Sequence, residues 1–525
     1  MLDLLVKGAL IYDGTGSPPF RADVGVKDTR IAAIGKRIPD AYTAINGSGL
    51  ALAPGFVDSH SHADLVLHSA PVSYYKLEQG VTTEIAGSCG ISPAPLSRER
   101  FADGLRVCSQ FAAPPHEWES RLTFAGYMDE MDKNLGCNAA LQIGHSEARA
   151  AVCGYANREL DASEMDALLG LTREAMQAGA IGVSFGLIYP PGSYANEAEL
   201  TEVCRVAARY GGVFTIHMRS EGNFLVESVE SVIRMARDSG CRAVISHHKA
   251  GGKANFGKTA RTLELIDEAN ASGVEVYHDQ YPYTASATGL NTIIPDEYHA
   301  MGVDQLVDML GKPDGRARMR AILAKDRGVS PDAVPDSLAS TMVGWSESRP
   351  DCSGKMLSEA AAEMGTDACE LAFDLLRGDR METSAIFFSM CEDDVERVMA
   401  HPRMMVGTDG LYMNGQRCHP RAYGSFPRFL GRYCRDRGIV TLAEGIRKIT
   451  SMPAAVYNLQ SKGLIREGMD ADLTLFDPET IVDRADYNDF KAKNDGLSAV
   501  IVAGRVVVDG NEWNGKRFGR LIRRG

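Results

Sequence analysis

The chain has 525 residues, 44% hydrophobic and 24% charged, an ordinary globular make-up that is too long for one small core. Its formal charge of −13 argues against a nucleic-acid or anionic-membrane partner. No apolar run is long enough to cross a bilayer, no N-terminal stretch reads as a signal peptide, and the 11 scattered cysteines lack CxxC pairing, which fits reduced thiols in a cytoplasm.

The first fifty residues read as short strands. Leu2–Val6 and Ala9–Tyr12 precede the turn Asp13-Gly14-Thr15-Gly16, and Asp23–Val26 and Arg30–Ile34 follow it. The last sixty residues look alike, with strands at Ala471–Phe476 and Ala499–Val508. Between these ends, apolar strand-like runs alternate with helical patterns, the signature of βα units around a parallel sheet. Such runs end at Asp58 and Ala86. Others are Val213–His217, Ala243–His247, Val274–Tyr277, Ser384–Met390 and Met404–Gly407. After His217, the stripe Val229, Val232, Ile233 and Ala236 predicts an amphipathic helix. The region Tyr283–Arg349 breaks the rhythm and carries its own helical pattern around Asp304–Leu323. The expected architecture is α/β: a TIM-like (β/α)8 barrel over 55–462, and a small β-sandwich built from 1–54 and 463–525. An insertion at 284–349 is placed to act as an active-site lid.

In such a barrel, chemistry sits at the C-terminal ends of different strands. His60 and His62 follow the first strand, and the period of two turns both toward one space, where two imidazoles can hold a divalent metal. Cys89, in Gly87-Ser88-Cys89-Gly90, follows the second strand. His217 and His247 end two later ones, and Asp409 follows Val406-Gly407-Thr408. Taken singly, a strand-end histidine is more often a hydrogen-bonded core residue, a cysteine among glycines a packing residue, and an Asp-Gly pair a turn. Spread together over five strands, they are hard to produce by packing alone.

The order HxH, His217, His247, Asp409 resembles the amidohydrolase superfamily, and within it the N-acyl-D-amino-acid deacylases. The resemblance is carried by Pro54-Gly55-Phe56-Val57-Asp58-Ser59-His60-Ser61-His62, Gly80-Val81-Thr82-Thr83-Glu84 and Gly87-Ser88-Cys89-Gly90. It continues through His217-Met218-Arg219-Ser220-Glu221, Ser246-His247-His248-Lys249, Tyr281-Pro282-Tyr283, Gly407-Thr408-Asp409-Gly410 and His419-Pro420-Arg421. It spans essentially the whole chain. It implies a tight zinc site at Cys89, His217 and His247, and a second, weaker metal position at His60 and His62 with Cys89 as a bridge. Many relatives bridge instead through a strand-4 lysine or glutamate. Here Ile181-Gly182-Val183-Ser184-Phe185-Gly186 has neither, which argues against a hydantoinase-type or dihydroorotase-type site.

The resemblance further implies that zinc polarises an amide carbonyl and acidifies water, with Asp409 as general base turned general acid. Lys249 and Arg421 resemble the family's clamp for the substrate α-carboxylate, and Tyr189 and Tyr281 match substrate-contacting positions. His248 is read as a supporting residue, and His145 matches no ligand position. Relatives acting on acidic D-residues carry an arginine shortly after Tyr-Pro-Tyr. Here Thr284–Asn291 holds no cation, which favours a neutral or hydrophobic side chain. The expected partner is a small N-acyl-D-amino acid. Alternatives are a D-configured dipeptide, a cyclic amide, or a catalytically inactive relative serving as an assembly module. Composition and spacing do not fix the oligomeric state.

Overall fold

The computed structural model describes residues 1–66, 74–109, 119–133, 135–326, 336–411 and 416–524. Eight runs in the middle of the chain are buried almost throughout, as parallel strands covered on both faces must be. They are β1 (Phe56–Asp58), β2 (Val81–Ala86), β3 (Asn138–Gly144), β4 (Gly182–Gly186), β5 (Val213–His217), β6 (Arg242–Ile245), β7 (Val276–Gln280) and β8 (Met404–Val406). They pair in chain order, all parallel. β8 meets β1 again where Ser59 N–H donates to Val406 O (3.3 Å) and Asp409 N–H to His60 O (2.9 Å). The result is the expected TIM-like barrel, with the C-terminal strand ends at one mouth.

Helices cover the outside. Leu225–Ser239 buries Leu225, Val229, Val232, Met235 and Ala236 against the barrel, and Gly240 (φ +69°) caps it. Ile233 of the expected stripe is only partly buried.

Strands from both termini hydrogen-bond as one mixed sheet around a core that includes Leu4, Val6, Val24, Val26, Leu52, Leu473 and Ile501. Local geometry differs from the sequence expectation at three points. Leu2–Val6 and Ala9–Tyr12 are one strand, Leu2–Ile11, with a bulge between Val6 and Ala9 where Gly8 has φ +70°. Ala499–Val508 is two strands, Leu497–Val502 and Arg505–Asp509, joined by Ala503 (φ +49°) and Gly504 (φ +76°) in a tight hairpin turn. Leu521–Ile522 leaves this sheet and pairs in parallel with β3, so the chain end lies on the barrel.

The inserted unit is larger than 284–349. Ser286–Gly289 and Thr341–Trp345 both pair antiparallel with Ser384–Phe387, so the expected barrel strand at Ser384–Met390 belongs to this small sheet. Helices Val303–Leu310, Pro313–Asp326, Leu357–Glu363 and Ala368–Gly378 pack beside it on a separate core that includes Leu306, Leu310, Leu323 and Phe373. The part of the insertion at 327–335 lies outside the described residues. Among the described residues, no helix is long and apolar enough to cross a membrane.

Candidate active site

At the mouth, three non-glycine residues have left-handed backbones: Cys89 (φ +53°), His247 (φ +35°) and Asp409 (φ +47°). Such backbones cost free energy and cluster where side chains are held for function. Each lies two or three residues beyond a strand end (Ala86, Ile245 and Val406), where the chain turns sharply and aims the side chain inward. Glycine makes the turn around Cys89 possible. Gly87 has φ +79°, and a Cβ there would stand 2.2 Å from Gln142 O. A Cβ on Gly186 would stand 2.0 Å from Cys89 O.

The side chains singled out in the sequence converge. Cys89 Sγ lies 3.3 Å from His60 Nε2, 3.4 Å from His247 Nε2 and 4.0 Å from His217 Nδ1. Asp409 Oδ1 is 3.1 Å from His62 Nε2 and 3.5 Å from His60 Nε2. Ligand atoms of His60, Cys89, His247 and Asp409 lie within 4.8 Å of one another, as do those of His217, Glu221 and His247. The two groups share His247, so distance alone does not divide the cluster into one tight and one weak set.

Electrostatics favour a thiolate at the centre. Burial pushes the Cys89 thiol up, but His60 and His247, with contacts from His217, outweigh it and hold it well below the usual thiol range. Burial opposes charge on His62, yet its bond to Asp409 and the nearness of Cys89 raise it to about 9. Burial lowers His217. Sulfur and imidazole nitrogen donors suit zinc, a borderline-soft ion that would take the place of the imidazole protons on binding. The outer nitrogens are held as metal-binding histidines require. His60 Nδ1 lies 3.3 Å from Asp279 Oδ2, and His247 Nδ1 lies 2.8 Å from Glu221 Oε1. A carboxylate can only accept, so His60 Nδ1 carries the hydrogen and leaves Nε2 facing inward, whereas His247 Nδ1 lies between the Glu221 carboxylate and the Lys249 ammonium, 2.8 Å from each.

The clamp residues stand beside this cluster, each held by an acid. Arg421 Nη1 is 2.9 Å from Asp409 Oδ2, and its Nη2 donates to Ala287 O (3.0 Å). Lys249 Nζ is 2.5 Å from Glu221 Oε1. The Tyr281 ring lies under Arg421 (4.5 Å to the centroid) and near Lys249 (5.8 Å), while its hydroxyl points to Met390 Sδ at 3.8 Å. The Tyr189 hydroxyl meets Thr288 Oγ1 at 2.9 Å. His145 is paired with Glu199 (2.9 Å), and His248 with Thr262 (2.8 Å).

Sequence reasoning missed three supporting groups. Asp279 accepts from the His247 backbone N–H (2.8 Å) as well as facing His60. Glu221 joins His247 to Lys249. Fully buried Lys76 contacts Asp58, Thr408 Oγ1 (2.6 Å), Ser61 Oγ (3.2 Å) and Glu84 (3.6 Å) beneath the site. Glu221 and Asp279 lie in or next to segments already singled out, whereas Lys76 has no local signal.

Above the cluster opens a cavity of about 1210 Å³. Its floor includes His62, Cys89, His217, His247 and Asp409, and one wall comes from Ile293, Ile294, Phe387 and Phe388 at the inserted unit.

A buried thiol, imidazoles and a carboxylate converging at the mouth of a closed barrel define a metal-dependent hydrolase. Comparison with known proteins bears on which one. Residues 43–508 match the Amidohydrolase family. A D-aminoacylase of Alcaligenes xylosoxydans xylosoxydans is 37% identical over 525 residues, covering 99% of this chain and 98% of the relative. An N-acyl-D-glutamate deacylase of the same organism is 35% identical, covering 100% and 97%. The crystal structure of N-acyl-D-glutamate deacylase from Bordetella bronchiseptica, complexed with zinc and a phosphonate mimic of the tetrahedral intermediate, superposes with a TM-score of 0.84. It shares 34% identity, with 99% of each chain covered. The chain belongs to the amidohydrolase family, in the group of N-acyl-D-amino-acid deacylases.

Proposed function

We propose that this protein hydrolyses the amide bond of N-acyl-D-amino acids, releasing a carboxylate and a free D-amino acid with a neutral or hydrophobic side chain. One observation carries the proposal: Asp409 touches both histidines of the HxH pair on one side and Arg421 on the other. A proton acceptor and an anchor for an α-carboxylate thus share one carboxylate at the floor of the cavity.

Cys89, His217 and His247 would hold zinc tightly, and His60 and His62 would form a second, weaker position. Zinc held there would supply Lewis acidity toward an amide carbonyl and lower the pKa of water from about 16 to about 7. Asp409 takes the proton of the attacking water at a carboxylate oxygen and returns it to the leaving nitrogen. Arg421 and Lys249 turn from their acids to grip the substrate α-carboxylate. Tyr281 keeps the two cations in place from below, and Tyr189 borders the same space. The inserted unit acts as a lid that limits water around the reacting amide.

The side-chain preference is supported by the uncharged wall of Ser286, Ala287 and Thr288 beside Ile293, Ile294 and Phe388. Of the cations facing the cavity, Arg219 is engaged by Ser193 O and Ala195 O, both at 2.7 Å. An acidic side chain is the second reading, favoured by Lys253 and Lys325 on the cavity wall. A cytoplasmic location is supported by 11 cysteines, all outside disulfides.

The test is amine release from N-acetyl amino acids in D and L pairs, using zinc-loaded protein. Release confined to neutral D-isomers and lost in Asp409→Asn is the expected result. Release only from D-glutamate or D-aspartate derivatives selects the second reading. No release from any member overturns both.

A further inference from the structure

Glu221 sits four residues beyond His217, in the loop that leaves β5. Its Oε1 lies 2.8 Å from His247 Nδ1 and 2.5 Å from Lys249 Nζ, and its Oε2 lies 3.6 Å from His217 Nε2. The loop is pinned. Gly251 N–H donates to Glu221 O (2.7 Å), and Ser220 N–H to Ser228 Oγ (3.2 Å). No other side chain among those described meets His217, His247 and Lys249 together.

We propose that Glu221 is a positioning residue that, through one carboxylate, orients the two imidazoles facing Cys89 and presents Lys249 to the substrate carboxylate. The proposal rests on the deacylase reading for the Lys249 half alone.

The geometry separates an outer from an inner side. Cys89 Sγ faces His247 Nε2 and His217 Nδ1. Glu221 faces the opposite nitrogen of each ring, within hydrogen-bond distance of His247 Nδ1 and by charge alone at 3.6 Å from His217 Nε2, which has no hydrogen-bond partner among the described residues. An imidazole that gives one nitrogen to an ion keeps the other for a hydrogen-bond acceptor, and that acceptor fixes its tautomer and orientation. The rival role, Glu221 as a metal ligand, conflicts with Lys249. Its ammonium, 2.5 Å from Oε1 and 2.8 Å from His247 Nδ1, already fills the place a cation would take on that side. Lysine alone is a flexible point charge. Tied to the carboxylate that also holds His247, it stands at a fixed distance from the reacting centre.

The experiment compares Glu221→Gln, Glu221→Asp and Lys249→Met with the wild-type full chain. Zinc affinity is read by competition with a chromogenic chelator, the ligand field by the visible spectrum of the cobalt-loaded protein, and kcat and KM on an N-acetyl-D-amino acid at saturating zinc. In Glu221→Gln, zinc is still bound at saturation, with affinity lowered about 10- to 100-fold. The cobalt bands move without losing the thiolate charge-transfer feature, and KM rises about tenfold. Glu221→Asp, which keeps the charge but not the reach, lies between. Lys249→Met raises KM and leaves zinc affinity at the wild-type value. Wild-type zinc affinity and KM in Glu221→Gln overturn the proposal. So does a Glu221→Gln protein that binds no zinc at saturation, which makes Glu221 a ligand. Failure of the deacylase reading shows separately, as wild-type protein that releases no amine while the zinc and cobalt effects persist.

Discussion

Arg421 and Asp409 form a buried ion pair, Nη1 to Oδ2 at 2.9 Å, that joins the substrate anchor to the proton acceptor. Burial pushes the Asp409 carboxyl up, and Arg421 first, then His247 and His60, pull it well below the usual range. Replacing Arg421 by Met removes the strongest of these cations. The carboxyl then ionises at higher pH, so the acid limb of the kcat/KM profile moves upward. KM rises about 10- to 100-fold with the loss of the charged hydrogen bonds. Kinetics across pH check both, and an unmoved acid limb would show that Arg421 does not tune Asp409.

Cys89→Ser keeps the size and the left-handed backbone but removes a group that ionises. A serine hydroxyl stays protonated near neutral pH, so the centre loses its one thiolate donor. Zinc affinity is expected to fall by roughly 100-fold or more, beyond the loss from an outer hydrogen-bond partner. Metal content after dialysis measures it, while circular dichroism checks that the fold persists.

Lys76 lies under the site with no solvent exposure, against Asp58. Asp58 in turn accepts from the Thr408 N–H (2.8 Å) and hydroxyl (2.7 Å), tying the HxH segment to the Asp409 turn. Lys76→Met leaves a buried carboxylate uncompensated, a loss of about 3–5 kcal/mol. A lowered thermal midpoint in excess zinc is the readout. Adding Asp58→Asn recovers part of the loss, because the double variant no longer buries that unpaired charge.

Lys448 supplies a pH dependence of stability. Burial lowers its pKa from the usual 10.5 to about 8, although its ammonium donates to His401 O. Between those values the unfolded chain binds the proton and the folded chain does not, so stability rises with pH across that window. Below about pH 8 both states are protonated, and the full cost of burying the ammonium is felt, on the order of 3 kcal/mol. Lys448→Met therefore stabilises the protein most at neutral pH, and its advantage shrinks toward pH 10. Thermal midpoints of both proteins from pH 7 to 10 test this.

Most of the barrel and the inward-facing site residues could be read locally. A run such as Val213–His217 is apolar because a parallel strand is covered on both faces, and its last residue must stand at the barrel mouth. His60, Cys89, His217, His247 and Asp409 all announce themselves this way, since strand end and chemistry-bearing side chain are neighbours in the chain. What holds them depends on contacts across the sequence. Asp279 reaches His60 from 219 positions away, and the Lys76–Thr408 bond spans 332. Ser384–Phe387 shows the same limit in the fold. A short apolar run has one appearance whether it joins a parallel barrel or an antiparallel sheet, and only the finished fold, with β8 already closed on β1, decides its partner. Local sequence determined which groups face the cavity. Tertiary packing determined their distances, their charges and the acids that restrain Arg421 and Lys249, because Coulombic and hydrogen-bond energies depend on separation in space and not along the chain.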